Sequence, residues 1–262
     1  MKMGFALSVF LAATLSGYAA RAEDACTKIV ATGHPEYPVM AFKDGDRIKG
    51  AAPLLIAEIA KTLDVPFDSQ YMGTWAQAQS ATREGKADMI MGVYYNDERA
   101  EYLDYVEPPF VYDPVVVFTA NDHPIDYAGQ DDLIGKKGVA NEGESFGTTF
   151  DAFLKDKLTV TRVDGLKAAF DALLSGDADY VIAPFYPGSA EVVRLGLEEK
   201  IRSLEPELLS EELFVAFSKT SPCAALAPKF GEGIEKLTED GRFRELVSDA
   251  LAQWDAEMGP QE

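Results

Sequence analysis

Apolar and polar positions follow two rhythms along this chain, and the rhythms take turns. Ile29-Val30-Ala31-Thr32 is a short β-type run that ends in a turn over Gly33 to Pro38. From Pro53 to Leu63 the apolar residues Leu55, Ile56, Ile59, Ala60 and Leu63 recur at helical spacing, which predicts one buried face. A second helix is predicted over Trp75 to Glu84, and a second buried strand at Met89-Ile90-Met91. The pattern then restarts. Gly138-Val139-Ala140 reads as a strand, Ser145 as the cap of a helix running to about Lys155, Gly165 to Leu174 as another helix, and Tyr180-Val181-Ile182-Ala183 as a strand. A last strand, Leu213 to Phe217, precedes two helices ending near Trp254. Strands alternating with helices predict an α/β fold with mainly parallel pairing, and the restart predicts two lobes.

Two joints repeat one design. Glu84-Gly85-Lys86-Ala87-Asp88-Met89-Ile90-Met91 and Ser175-Gly176-Asp177-Ala178-Asp179-Tyr180-Val181-Ile182 each read as a helix end, a glycine suited to a left-handed turn, an Ala-Asp pair and a buried strand. Ligands of open parallel sheets bind beyond the carboxyl ends of the strands. Four segments occupy such places here: 33–37, 92–99, 141–146 and 184–186. Two fall in each predicted lobe, so lobes facing each other would line one cleft with them.

Composition narrows the chemistry. The 262 residues hold 44 Asp or Glu against 24 Lys or Arg, a net charge of −20, which argues against nucleic acid and against an anionic membrane surface. With 47% hydrophobic residues there is ample material for a packed core. Two histidines and two scattered cysteines form no zinc or haem motif, so neither a metal nor another cofactor is expected. No apolar run reaches the roughly 18 residues of a membrane span, so no membrane insertion is expected.

The start of the chain has the layout of a secretory leader. Lys2 supplies a positive charge, Gly4 to Leu15 an uncharged apolar run, and Ala20-Arg21-Ala22 the small residues read by a signal peptidase. Residues 1–22 are therefore expected to be removed, leaving Glu23 first, with no lipid anchor because Tyr18 follows Leu15-Ser16-Gly17 where a lipoprotein needs cysteine. Export permits a bridge between Cys26 and Cys223, two buried thiols being the alternative.

The four strand-end segments carry candidate chemistry. In Gly92-Val93-Tyr94-Tyr95-Asn96-Asp97-Glu98-Arg99, the guanidinium of Arg99 suits a carboxylate, which it grips with two parallel hydrogen bonds. The same residue reads equally as a solvated helix-start cation paired with Glu98 or Glu101. Asn141-Glu142-Gly143-Glu144-Ser145-Phe146 is a glycine turn into a helix, fit either to receive an anionic oxygen or simply to cap the helix with Ser145. Tyr37, Trp75, Phe185 and Tyr186 are candidates to stack on a ligand, or ordinary core.

Taken in order, several motifs resemble one family. They are Gly33-His34-Pro35-Glu36-Tyr37-Pro38 after the first strand, Trp75 opening a helix, and Glu84-Gly85-Lys86-Ala87-Asp88. Asn96-Asp97-Glu98-Arg99-Ala100-Glu101 is followed by Asp104-Tyr105-Val106-Glu107-Pro108-Pro109-Phe110, and later by Leu133-Ile134-Gly135-Lys136-Lys137-Gly138-Val139. Together, from Ile29 to Trp254, the chain resembles the bacterial periplasmic solute-binding proteins that serve polar-amino-acid ABC importers.

The resemblance implies a fold of two α/β lobes, two sheets flanked by helices and joined by two hinge crossings, closing on a ligand by hinge motion. Carried over, residues 23–112 and 212–262 form the first lobe and 113–211 the second. It implies a monomeric, non-catalytic periplasmic receptor that presents a small carboxylated solute to an inner-membrane permease. Arg99 takes the family's carboxylate position, Tyr37 with Trp75 its aromatic wall, and Ser145 its helix-start hydroxyl. Gly92, Tyr94, Glu144, Phe146, Phe185 and Tyr186 complete the expected ligand set, and Cys26–Cys223 is expected as a disulfide in the first lobe. Two positions depart from the family. Asn96 replaces the usual threonine, and Pro184 stands where an acid usually meets the ligand amine, so the expected ligand is a carboxylate with a displaced or absent amine, received by Glu144 or Glu36. An enzyme on the same fold, a cyclohexadienyl dehydratase-like lyase using Glu36, Glu142 or Glu144 as acid or base, is the alternative, as is a periplasmic signalling or accessory partner.

Overall fold

The computed structural model describes residues 26–258. The expected leader, residues 1–22 with the processing site before Glu23, lies outside the described residues. The chain runs β1 (Ile29–Gly33), β2 (Glu36–Tyr37), β3 (Ala41–Asp44), β4 (Arg47–Lys49), α1 (Ala51–Thr62), β5 (Phe67–Ser69), α2 (Trp75–Arg83), β6 (Met89–Tyr94) and α3 (Asp97–Ala100). The long strand β7 (Leu103–Ala120) leads to β8 (Lys137–Asn141), α4 (Thr148–Lys157), β9 (Thr159–Val163), α5 (Leu166–Ser175), β10 (Tyr180–Pro184), α6 (Phe185–Arg194) and β11 (Ile201–Ser203). The chain returns through β12 (Leu209–Ser218) and ends in α7 (Ala227–Glu239) and α8 (Arg242–Met258).

The strands lie in the order β5-β1-β6-β12-β7-β10-β8-β9, with β11 on the far part of β7 and a separate three-stranded β2-β3-β4 sheet. Within β5-β1-β6 and within β10-β8-β9 the pairing is parallel. The two crossings β7 and β12 are antiparallel to each other and to their neighbours, so they join the sheets of the two lobes into one hydrogen-bonded run. β7 pairs with β12 from Leu103 to Val106 and again from Val111 to Val115, and with β10 from Val115 to Phe118. Between the two β12 stretches lie Glu107 to Phe110, looped out opposite Phe214. Pro108 and Pro109 have no N–H to donate, so the ladder lapses there.

The helical stripe of α1 packs as its spacing predicts: Leu55, Ile56 and Ile59 are buried with Phe217, Phe230 and Ile234 in one core cluster. Trp75, Ala78, Ile90 and Val93 form a second cluster, and Phe118, Val139, Phe170 and Val181 a third in the other lobe. α2 begins with a capping box in which Thr74 and Gln77 satisfy each other's backbone N–H groups, a device that contributes about 1 kcal/mol.

The two repeated joints do the same work. Gly85 and Gly176 both take left-handed backbone (φ 72° and 79°). Asp88 accepts the Val30 amide at 2.8 Å, and Asp179 accepts the Lys137 amide at 2.7 Å. Each acid thus pins the start of its buried strand to the neighbouring one.

Two readings need correction. Ser145 does not cap α4, which starts at Thr148 after Gly147 with no side-chain cap. The Ser145 hydroxyl is committed elsewhere, as described below. Pro184 to Tyr186 is not a loop: β10 passes directly into α6, whose first residue is Phe185. The proline there supplies a fixed φ at a position where a helix asks for no N–H. Cys26 and Cys223 are bonded to each other across a separation of 197 residues, joining the approach to β1 to the short helical turn after β12.

Candidate functional site

The segments at the ends of β1, β6 and β8 meet at the seam between the lobes, held by direct polar contacts. Arg99 is 3% exposed. Its Nη1 donates to the Tyr94 carbonyl at 3.0 Å, its Nη2 to the Gly143 carbonyl at 2.8 Å and its Nε to Gln79 Oε1 at 2.9 Å. The solvated-cation alternative does not hold, and Glu98 pairs with Arg83 instead. Asn96, the departure from the family threonine, accepts the Arg99 amide at 2.7 Å and donates to the Ser145 hydroxyl across the seam at 2.6 Å. The Ser145 hydroxyl passes its own hydrogen to Asp151.

Gly143 makes this approach possible. It takes left-handed backbone, and a Cβ there would stand 2.9 Å from Gln79 Nε2 and 3.3 Å from Ala76 Cα. Its carbonyl accepts from both Gln79 and Arg99. Only glycine offers that backbone conformation and that clearance together.

The aromatic wall has an occupant from the chain itself. His34 is 4% exposed, its ring 4.9 Å from Trp75 and 5.9 Å from Tyr37, centroid to centroid. Its Nδ1 accepts the Glu36 amide at 3.0 Å, so Nε2 carries the hydrogen and donates it to Glu144 of the other lobe at 3.1 Å. Burial pushes the Glu144 carboxyl up, but the His34 hydrogen bond and the nearby Arg99 and Arg162 charges outweigh it and hold the group below its ordinary value. The space bounded by His34, Tyr37, Glu144 and Pro184 has no room for a water molecule.

Behind this wall runs a buried chain of hydroxyls. Tyr94 donates to Asp113 Oδ2 at 2.6 Å, and Tyr37 lies 3.1 Å from the Tyr94 oxygen. Asp113 sits on β7, fully buried, and its Oδ1 has no hydrogen-bond partner among the described residues. Burial, reinforced by the Glu144 charge, lifts its carboxyl to about 8. Its cross-strand partner on β12 is Glu211, raised to about 7 by burial and by the acids Asp151 and Glu212.

The structure thus brings Tyr37, Trp75, Tyr94, Arg99, Glu144 and Ser145 together at the seam. It leaves four expected residues outside it. Gly92 is the extra residue of a bulge in β6 and faces Leu213 and Phe110. Phe146 is core, packed edge-on against Phe150. Phe185 packs against the second-lobe core, and Tyr186 is 51% exposed on α6. Gln79, His34, Asp113 and Arg162 were not foreseen. Asp113 offered a signal, a lone acid in the β-type run Phe110 to Ala120, as did Arg162 within Thr159 to Val163.

Among the described residues no helix is long and apolar enough to cross a membrane, and no cluster of three His, Cys, Asp or Glu side chains could hold a metal. Residues 29–252 match the model of the bacterial extracellular solute-binding proteins, family 3. Among solved structures, the chain is similar to a histidine kinase sensor domain with similarity to periplasmic binding proteins: 23% identity, 86% of this chain and 96% of that one, TM-score 0.72. It is similar to the amino acid ABC transporter substrate-binding protein AbpA of Streptococcus pneumoniae, solved with L-arginine (22% identity, 86% and 95% covered, TM-score 0.69). It also resembles the arginine-, lysine-, histidine-binding protein ArtJ of Geobacillus stearothermophilus (20% identity, 87% and 98% covered, TM-score 0.69). At these identities the likeness speaks for the fold, the two-lobed type II periplasmic binding fold.

Proposed function

Because the chain belongs to the bacterial extracellular solute-binding proteins of family 3, we propose that it is a receptor for a carboxylated, amino-acid-like solute, captured between the lobes and handed to an ABC permease. The observation that carries this reading is Arg99. It is buried at the seam, held by two carbonyls and an amide oxygen, and among the described residues it makes no ion pair. A buried guanidinium without an anion is costly, and a ligand carboxylate relieves that cost. The hinge lies where β7 and β12 cross, which supports lobe boundaries near residues 112 and 212. The receptor acts as a monomer in the periplasm after loss of residues 1–22.

The same geometry favours binding over catalysis. Glu36 and Glu142 are exposed, Glu144 is engaged by His34, and Asp113 is sealed from every solvent-accessible surface. The likeness to a kinase sensor domain supports a second reading, in which closure signals to a partner instead of feeding a permease. Native mass spectrometry of the purified protein tests capture by looking for a bound acid. Calorimetry with that acid on Arg99→Lys then tests the site, and unchanged affinity would overturn the assignment. Deleting a neighbouring permease gene and measuring solute uptake separates import from signalling.

A further inference from the structure

On the side of Arg99 away from the aromatic wall the seam opens into a cavity of about 470 Å³, large enough for a molecule of several carbons. Both lobes line it, and its wall is unusual for a chain with net charge −20. Besides the Arg83–Glu98 pair it holds Arg99, Lys155 and Arg162 against Glu144 and Asp151. None of those three cations is in an ion pair among the described residues.

The two acids already have partners. Glu144 receives His34, and Asp151 receives the Ser145 hydroxyl and, at 2.8 Å, the Phe146 amide. Arg162 spends one hydrogen bond on the Asn141 carbonyl at 3.1 Å and rests its guanidinium 5.8 Å from the Phe146 ring centre. Among the described residues its remaining N–H groups have no partner. Burial above all, with the Arg99 charge adding, pulls Arg162 below its ordinary value against the pull of Glu144 and Asp151. The cavity therefore presents two guanidiniums and an ammonium with donors to spare, and two carboxylates that can still accept from a cation.

We propose that this cavity takes a small amino dicarboxylate, one carboxylate on Arg99, the other on Arg162 and Lys155, and the amine against Glu144 or Asp151. The assignment rests on the reading of Arg99 as a carboxylate receptor. It agrees with the charge of the wall, which is one positive in excess, as the ligand is one negative.

The test is calorimetry on the purified protein with L-glutamate, L-aspartate, their amides glutamine and asparagine, and the amine-free acids glutarate and succinate. The expected result is that one acidic amino acid binds at least about tenfold tighter than its amide and its amine-free counterpart. Arg162→Gln should abolish the advantage of the acid over its amide. Lys155→Gln, an exposed change that leaves packing intact, should reduce that advantage in part. Equal binding of acid and amide, or an Arg162→Gln variant that folds and still discriminates, overturns the amino dicarboxylate and leaves the receptor reading standing. Failure of every acid in the panel overturns the assignment too. If simple monocarboxylates and the other amino acids also fail, the Arg99 reading falls with it.

Discussion

The two flanks of the interlobe seam differ although they share one sheet and lie on either side of Arg99. On one flank His34 stands against Trp75 and Tyr37 and donates to Glu144; the space behind it toward Pro184 is filled, and a cavity of about 380 Å³ lies on the outer side of His34 and Trp75. On the other, Arg99, Lys155 and Arg162 face open volume. The first flank closes the lobes with the protein's own side chains. The second keeps cations in reserve. Under the proposed function, the contact that joins the lobes and the contact that recognises the solute fall to different residues.

The strongest way to break the comparison is His34→Ala. It leaves Glu144 buried without its hydrogen-bond donor and opens a hole beside the indole, a loss of about 2–4 kcal/mol. The melting temperature should fall, and added imidazole should restore part of it by refilling the seat. A variant that melts like the parent would show that the His34 contact contributes nothing to stability.

Asp113→Asn tests the buried acid behind the same flank. The folded protein keeps the Asp113 proton up to about pH 8, whereas the ordinary carboxyl value is 3.8. Stability from this group is therefore full below about pH 4, declines as pH rises toward 8, and is lost above that, a change on the order of a few kcal/mol. Urea midpoints measured from pH 4 to 8 should slope downward in the parent and be flatter in the variant. Parallel curves would refute the raised carboxyl.

On the open flank, Arg99→Lys keeps the charge and loses the planar fork. With charged hydrogen bonds contributing roughly 1.5–3 kcal/mol each, ligand affinity should drop about a hundredfold, as read by calorimetry. The smallest effect is expected from Gly143→Ala. A left-handed backbone disfavours alanine by roughly 1–2 kcal/mol, and its methyl would press on Ala76 and Gln79. The lobes should part slightly, seen as a larger radius of gyration by X-ray scattering in the absence of ligand. An unchanged radius would mean the seam has slack.

The alternation of strands and helices was legible because each element buries one face: α1, α2, β6 and β8 fall within a few residues of their predicted spans. Arg99 and Glu144 were legible as seam residues because strand ends in parallel sheets converge. The failures have physical causes. α6 was hidden because Phe185-Tyr186-Pro187-Gly188 looks like a turn, yet Pro187 sits in the first turn of a helix, where its missing N–H is no loss. β7 was hidden because Pro108, Pro109 and Pro114 interrupt its pattern, and only pairing with β12 reveals the run as one strand. The role of His34 was hidden because nothing local says that a residue 110 positions away will meet it.

The Cys26–Cys223 bond turns most of the chain into a covalent ring, with both crossings and the whole second lobe inside it. A protease that nicks any loop between those cysteines does not divide the molecule. Two peptides result, still tethered through sulfur, and the sheet that β7 and β12 share remains available to hold them in register. A cleaved chain can therefore keep the mass of an intact one, plus a water, until a reductant is added.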